Sequence, residues 1–308
     1  MRDTLFCIIS VLVSLLLAAI SLRYGTSFWL FAFIYSFQVH FAIAAACGAI
    51  LALMIKRHWY GYVMLAAAIG LAVHGVIMLK EFATPPSQAP QLFSMISFNI
   101  ENENYENADK ITQIIRKSGA DVVNVFEAEP IFADLPQIKA TYPYSIGCQS
   151  TAESCDTLVL SKHPFLEQKI MSIGELWQNR MIHSAIEFAG KRVDFLAVHL
   201  TKPYFDDFQL DELKDISYEI GTIKEPLVVA GDFNSSVLTP GIQRFMRREQ
   251  LKTVFPEPAT WPIRAGPFGI AIDHIFARNP LQLIKVSRIK DNAGSNHYGL
   301  EASFSLAP

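Results

Sequence analysis

Three runs near the start of the chain contain no Lys, Arg, Asp or Glu: residues 4–22, 24–55 and 58–79. Crossing the hydrocarbon core of a bilayer takes about 20 apolar residues. A helix is the form in which such a segment satisfies its own backbone hydrogen bonds in lipid. The runs therefore predict three transmembrane helices, at about 4–22, 28–55 and 58–79, within an anchor covering 1–82. Ser10, Ser14, Gln38, His40 and His74 interrupt them only mildly; the two histidines read as interhelical hydrogen-bonding groups. Two other readings compete. Helices of a soluble core rarely run so long without a charge. A cleaved signal peptide over 1–22 would start suitably at Arg2, but its cleavage site is poor and two spans would remain.

Past residue 82 the composition changes. ATPPSQAPQ (83–91) reads as a proline-rich linker, and 92–308 has the composition of a globular domain. The whole chain has a formal charge of −3. Arg2, Arg23, Lys56, Arg57 and Lys80 against Asp3 and Glu81 give the anchor +3, which leaves −6 after residue 83. A net-acidic domain does not resemble a general nucleic-acid binder, but it suits a site that collects divalent cations. With three spans, Arg2, Lys56 and Arg57 share one side and Arg23 and Lys80 the other. That bias places the large domain outside, in the periplasm or beyond the cell. Cys148 and Cys155 flank a short polar loop, CQSTAESC. In an oxidising compartment they are expected to form a disulfide; the alternative is two free thiols.

The domain alternates strand-like and helix-like segments. SMISFNI, DVVNVFE, DTLVLS, RVDFLAVHL, LVVAG, AIDHIFA and GLEASFSL read as strands, with amphipathic helices at 107–119, 205–223 and 241–250. A recurring feature is the polar residue at the strand boundary: Asn99, Glu101, Glu127, His199, Asp232, Asn234 and His297. Asp273 lies inside an apolar strand, between Ile272 and Ile275, where an unpartnered carboxylate is costly. Any one of these could cap a turn. Together they match a phosphoryl-transfer site. Mg²⁺ takes carboxylate and carbonyl oxygens, phosphoryl oxygens take fixed donors, and a water nucleophile takes a base.

SFNIEN (97–102), DVVNVFE (121–127), LVLSKHP (158–164), VHL (198–200), GDFN (231–234), IDHIF (272–276) and SNHYGL (295–300) resemble, in order, the motifs of the endonuclease/exonuclease/phosphatase superfamily. DNase I, abasic-site endonucleases, neutral sphingomyelinases and inositol-phosphate phosphatases share that fold. With three preceding spans and TWP at 260–262, the chain is most similar to the bacterial membrane-anchored branch. The resemblance implies an α/β fold, a DNase I-like two-sheet sandwich behind a bundle of three transmembrane helices. It also implies a Mg²⁺-dependent (or Mn²⁺-dependent) phosphodiesterase acting on nucleic acid or on phospholipid head-group esters. Carried over, Glu127 is the main metal ligand, with Asn99 and Glu101 beside it. Asp232 orients or activates water, and Asn234 holds the phosphate, with Asn99 and His199 also contacting substrate. His199 stabilises the transition state, and Asp273 orients the catalytic His297. The family's usual Asp is replaced by Asn296, which favours one metal over two. His163, His183 and His274 match no role. The competing reading is a non-catalytic binding module on the same fold. The partners implied are the lipid bilayer and a phosphoester; no protein partner can be inferred.

Overall fold

The structure is a computed structural model that describes residues 1–85, 87–148, 155–224 and 226–306. Residue 86 of the linker, the loop 149–154 between the two cysteines and the last two residues of the domain lie outside the described residues. Helices α1 (Arg2–Ser21), α3 (Gln38–Ile55) and α4 (Trp59–Glu81) form an N-terminal bundle, and all three are long and apolar enough to cross a membrane. Small residues allow close packing: Ala45, Ala49, Ala52 and Ala68 are buried against Phe6, Val13 and Leu17. The predicted span 28–55 is not one helix. It breaks at Phe37, and the preceding residues form a separate short helix, α2 (Ala32–Ser36). Tertiary contacts explain the break. Ser36 Oγ accepts the Ser236 N–H at 3.3 Å, and the Phe37 ring packs edge-on against Trp261.

Among the described residues, the globular part holds two six-stranded sheets. The first contains β1 (Phe93–Asn99), β2 (Val122–Phe126), β3 (Tyr144–Gly147), β4 (Thr157–Ser161), β11 (Leu281–Arg288) and β12 (Leu300–Leu306), in the order β11-β12-β1-β2-β4-β3. The second contains β5 (Phe165–Ile173), β6 (Trp177–Phe188), β7 (Lys191–His199), β8 (Leu227–Asp232), β9 (Leu251–Lys252) and β10 (Asp273–Arg278), in the order β5-β6-β7-β8-β10-β9. Inward-facing Phe93, Met95, Phe126, Phe195, Ala230 and Phe304 fill the space between the sheets. Helices α5 (Ala108–Lys117) and α6 (Leu135–Lys139) cover the first sheet. Helices α7 (Phe208–Ile220) and α8 (Pro240–Arg248) cover the second. The result is an α/β/β/α sandwich.

The segment 83–91 is not a free tether. Thr84 N–H donates to Thr253 O at 3.0 Å, Ser87 N–H to Leu283 O at 3.3 Å, and Leu92 N–H to Phe304 O at 2.7 Å. Immediately before this segment, Phe82 is buried with Ile220, Leu251 and Phe276 of the second sheet's core. Burying such a ring contributes about 1.5–3 kcal/mol. Glu81 also pairs with Arg247 at 2.6 Å. The last turn of α4 is thereby fastened to the domain.

Candidate active site

Strand direction gathers the polar residues at one end of the sandwich. β1 and β2 run parallel, so Asn99 ends one strand and Glu127 follows the other on the same side. β7 and β8 run parallel with His199 beside Asp232. β10 runs antiparallel to β8, so it starts where β8 stops, and Asp273 pairs with Asp232. β12 is antiparallel to β1, which brings the turn carrying His297 to the same end.

The side chains then interlock. Asn99 Nδ2 donates to Glu127 Oε1 and to Asp232 Oδ2, both at 3.0 Å, while its Oδ1 accepts the Glu101 N–H at 3.0 Å. Glu127 Oε2 accepts the Asn102 N–H at 2.7 Å. Asp232 Oδ1 accepts the Asn234 N–H at 2.7 Å, and the Asn234 amide donates to Leu200 O at 2.8 Å. Glu101 Oε2 accepts the Asn296 N–H at 3.1 Å, which ties the β1 end to the last loop. Glu101, Glu127 and Asn234 all have positive φ, at 67°, 53° and 49°. Left-handed backbone at non-glycine residues costs of order 1 kcal/mol or more each and concentrates at functional sites.

Two imidazoles flank this group, each held by its own aspartate. His297 Nδ1 lies 2.8 Å from Asp273 Oδ2, and His199 Nδ1 lies 2.9 Å from Asp156 Oδ2. The other nitrogen of each ring, Nε2, lies 3.9 Å from Asp232 Oδ2. Burial opposes a charge on His297, but Asp273 and then Asp232 outweigh it and lift the ring to about 9. Burial opposes a charge on His199 too, and Asp156 raises it. Burial and then Asp273 push the Asp232 carboxyl up, with His297 and His199 pulling against them. Asp156 is held down at about 2; burial works to raise it, and His199 and Arg180, the latter 3.1 Å away, overcome that.

Asp156, Arg180 and Ser295 were missed by sequence reasoning, and Thr260, singled out there only within TWP and as a pocket wall, has a positioning role that was not foreseen. The Thr260 hydroxyl accepts the N–H groups of Ile272 and Asp273. Ser295 Oγ donates to Asn99 O and accepts the His297 N–H. In the sequence Asp156 is marked only as a residue just before a strand, and the pairing of that strand decides where it goes. The strand is an antiparallel neighbour of β2, so its start lies beside the end of β2. The unassigned histidines are structural. His183 sits between Asp194 and Glu219, and His274 between Glu257 and Ser235 O. His163 lies 3.6 Å from Asp121. The sulfurs of Cys148 and Cys155 are bonded.

The donor set suits a hard divalent cation. Asn99 bridges the Glu127 and Asp232 carboxylates, Asp273 pairs with Asp232 across the strands, and among the described residues none of the three pairs with a Lys or Arg. Asp232, Asp273 and His297 also place one ligand atom each within 4.8 Å of one another. His297 is already committed to Asp273, however, and Mg²⁺ prefers oxygen. Glu127 borders an open cavity of about 840 Å³ that also reaches His199, Asp232 and His297, a volume suited to a small-molecule site.

Paired carboxylates, two aspartate-held imidazoles and a two-sheet sandwich define a metal-dependent phosphoesterase class. The profile of the Endonuclease/Exonuclease/phosphatase family matches residues 96–297, and the chain belongs to that family. Its members are metal-dependent phosphoesterases. Comparison with curated proteins gave no match. Among solved structures, beta toxin from Staphylococcus aureus is 20% identical, with a TM-score of 0.53 over 68% of this chain and 99% of its own. A humanized D. rerio TDP2 is 19% identical, with a TM-score of 0.55 over 69% and 98%. An endonuclease/exonuclease/phosphatase family protein from Leptotrichia buccalis is 14% identical, with a TM-score of 0.55 over 70% and 100%. At these identities the likeness establishes the fold.

Proposed function

We propose that the chain is a membrane-anchored, Mg²⁺-dependent phosphodiesterase that hydrolyses its substrate by attack of water. The observation that carries this reading is the pair of imidazoles whose free Nε2 atoms both approach Asp232 Oδ2 at 3.9 Å. Glu127 is the principal metal ligand. Asn99, whose amide oxygen is taken by Glu101, holds the Glu127 and Asp232 carboxylates in place. A beta toxin variant from Staphylococcus aureus, 19% identical with a TM-score of 0.53 over 68% of this chain and 99% of its own, carries bound magnesium ions. A bound Mg²⁺ would neutralise charge developing on the phosphoryl oxygens. Asp232, its carboxyl raised by burial, orients the attacking water and accepts its proton. His297, cationic at neutral pH, donates from Nε2 to the departing ester oxygen. His199, fixed by Asp156, donates to a non-bridging phosphoryl oxygen.

The apolar helices α1, α3 and α4 cross the bilayer, with the sandwich on the periplasmic or extracellular side. The Arg/Lys bias of the loops and the Cys148–Cys155 bond support that orientation. The test is hydrolysis of bis(p-nitrophenyl) phosphate by the full chain in detergent, with p-nitrophenyl phosphate alongside. Turnover of the diester that needs Mg²⁺, stops in EDTA and fails in Asp232→Asn is expected. Neither ester being cleaved would overturn the reading.

A further inference from the structure

The anchor builds one wall of the catalytic cavity. Phe33, Ser36 and Phe37 line the same cavity as Glu127, His199, Asp232 and His297. Contacts within the bundle fix the height of this wall. Arg2 donates to Ile55 O, and Lys56 pairs with Asp3, so these charges mark one end. At the other end Gln38 Nε2 donates to Leu71 O, and Tyr24 OH meets His74 Nδ1. From Gln38 to Ile55, α3 is about 27 Å long, close to the roughly 30 Å hydrocarbon core. The segment 28–37 therefore lies across the second face of the bilayer. It is dense in aromatic residues, as membrane interfaces are, and Phe28, Leu30 and Phe33 are exposed.

The same cavity is also lined by Leu176, Trp177 and Phe205. Trp177 is 50% exposed and Phe205 56%. Large exposed apolar side chains that share one cavity mark a binding or membrane surface. The charge pattern points the same way. Besides the two histidines, the cavity is lined by one arginine and one lysine, Arg180 and Lys202, against Glu127, Glu129, Asp156 and Asp232, and Arg180 is already paired with Asp156. A nucleic-acid strand needs a track of cations along successive phosphates. This cavity offers polar chemistry for one phosphate and apolar surface for the remainder of its ligand.

We propose that the substrate is a membrane lipid phosphoester taken from the outer face of the bilayer, its phosphate at Glu127 and His297 and its hydrocarbon side against the cavity-lining Phe33, Trp177 and Phe205. This rests on the phosphodiesterase and membrane-spanning readings above. In the reaction, water adds to phosphorus and one P–O ester bond breaks. The departing oxygen takes a proton and leaves as an alcohol, and the phosphate stays on the other fragment.

The test uses the full chain in nanodiscs made from a total bacterial lipid extract, with Mg²⁺, and products read by mass spectrometry. Bis(p-nitrophenyl) phosphate and a DNA oligonucleotide serve as parallel substrates. Cleavage of a lipid phosphoester is expected. The double variant Phe33→Ser/Phe205→Ser changes two exposed residues and should lower the ratio of lipid to soluble-diester turnover at least tenfold. A separate measurement does not depend on the lipid's identity. With Trp29→Phe, Trp59→Phe and Trp261→Phe in place, the remaining Trp177 fluorescence should be quenched by dibrominated phosphatidylcholine in nanodiscs. Cleavage of the soluble diester with intact lipids, preferred cleavage of DNA, an unchanged ratio in the double variant or unquenched Trp177 would each overturn the lipid assignment while leaving the phosphodiesterase standing. Failure on every substrate, the soluble diester included, would overturn both.

Discussion

Replacing Asp273 with Asn tests the physical basis of the site directly. Asp273 Oδ2 lies 2.8 Å from His297 Nδ1, and both side chains are buried. The ring is lifted from its ordinary 6.5 to about 9, against the opposing effect of burial. At 1.36 kcal/mol per pKa unit, that difference amounts to about 3 kcal/mol favouring the cation. Asparagine keeps the shape and removes the charge, leaving burial opposed mainly by Asp232. The ring should fall by at least one unit. The sign of the stability effect follows. A folded-state pKa above the unfolded one stabilises fully below about 6.5, and that contribution is lost as pH rises through about 9. Between those limits the wild type should lose stability with rising pH more steeply than Asp273→Asn. Histidine ring NMR in Mg²⁺-free protein, with His297→Ala identifying the resonance, reads the pKa. The alkaline limb of kcat/KM reads its consequence. His297→Ala should cost about 10²–10⁴-fold in kcat. Asp273→Asn should lose a large part of that factor, and the double variant should be little worse than the worse single one. A ring still titrating near 9 in Asp273→Asn, or strictly multiplicative kinetic losses, would refute the pairing.

Glu127→Gln should abolish turnover and weaken Mg²⁺ binding measured by calorimetry; activity retained in EDTA would move the metal elsewhere. Asp156→Asn should lower the His199 ring pKa, seen by the same NMR titration, and cost about 10–100-fold in kcat, the usual penalty for losing a partner that orients a functional group. Mass spectrometry of protein taken from membranes without reductant should find Cys148 linked to Cys155, whereas two alkylatable thiols there would remove one support for an exported domain. Gly231→Ala should destabilise the fold by about 3 kcal/mol, because an added Cβ would lie 1.8 Å from Val198 O in the adjoining strand; thermal unfolding in detergent reads this, and an unchanged midpoint would show that the two strands can separate.

Much of this architecture was legible in the order of residues, because the forces involved are local. Long uncharged runs set the three apolar helices, since helix hydrogen bonds close within a segment. Apolar runs ending in Asn, Glu, His or Asp marked strands and their chemistry, since polar groups avoid strand interiors unless a partner satisfies them. The costly position of Asp273 between two isoleucines was enough to demand such a partner. What the sequence could not determine was which ends meet. Asp156 stands 43 residues from His199, and only the antiparallel run of β4 against β2 brings its start to the site. Nor does the absence of charge distinguish residues 28–37 from a continuation of the α3 span, because both are apolar and uncharged. That distinction arises when Ser36 and Phe37 dock on Ser236 and Trp261. These contacts bridge 200 residues or more and require the folded sandwich as a partner, so the cavity wall belongs to the tertiary structure alone.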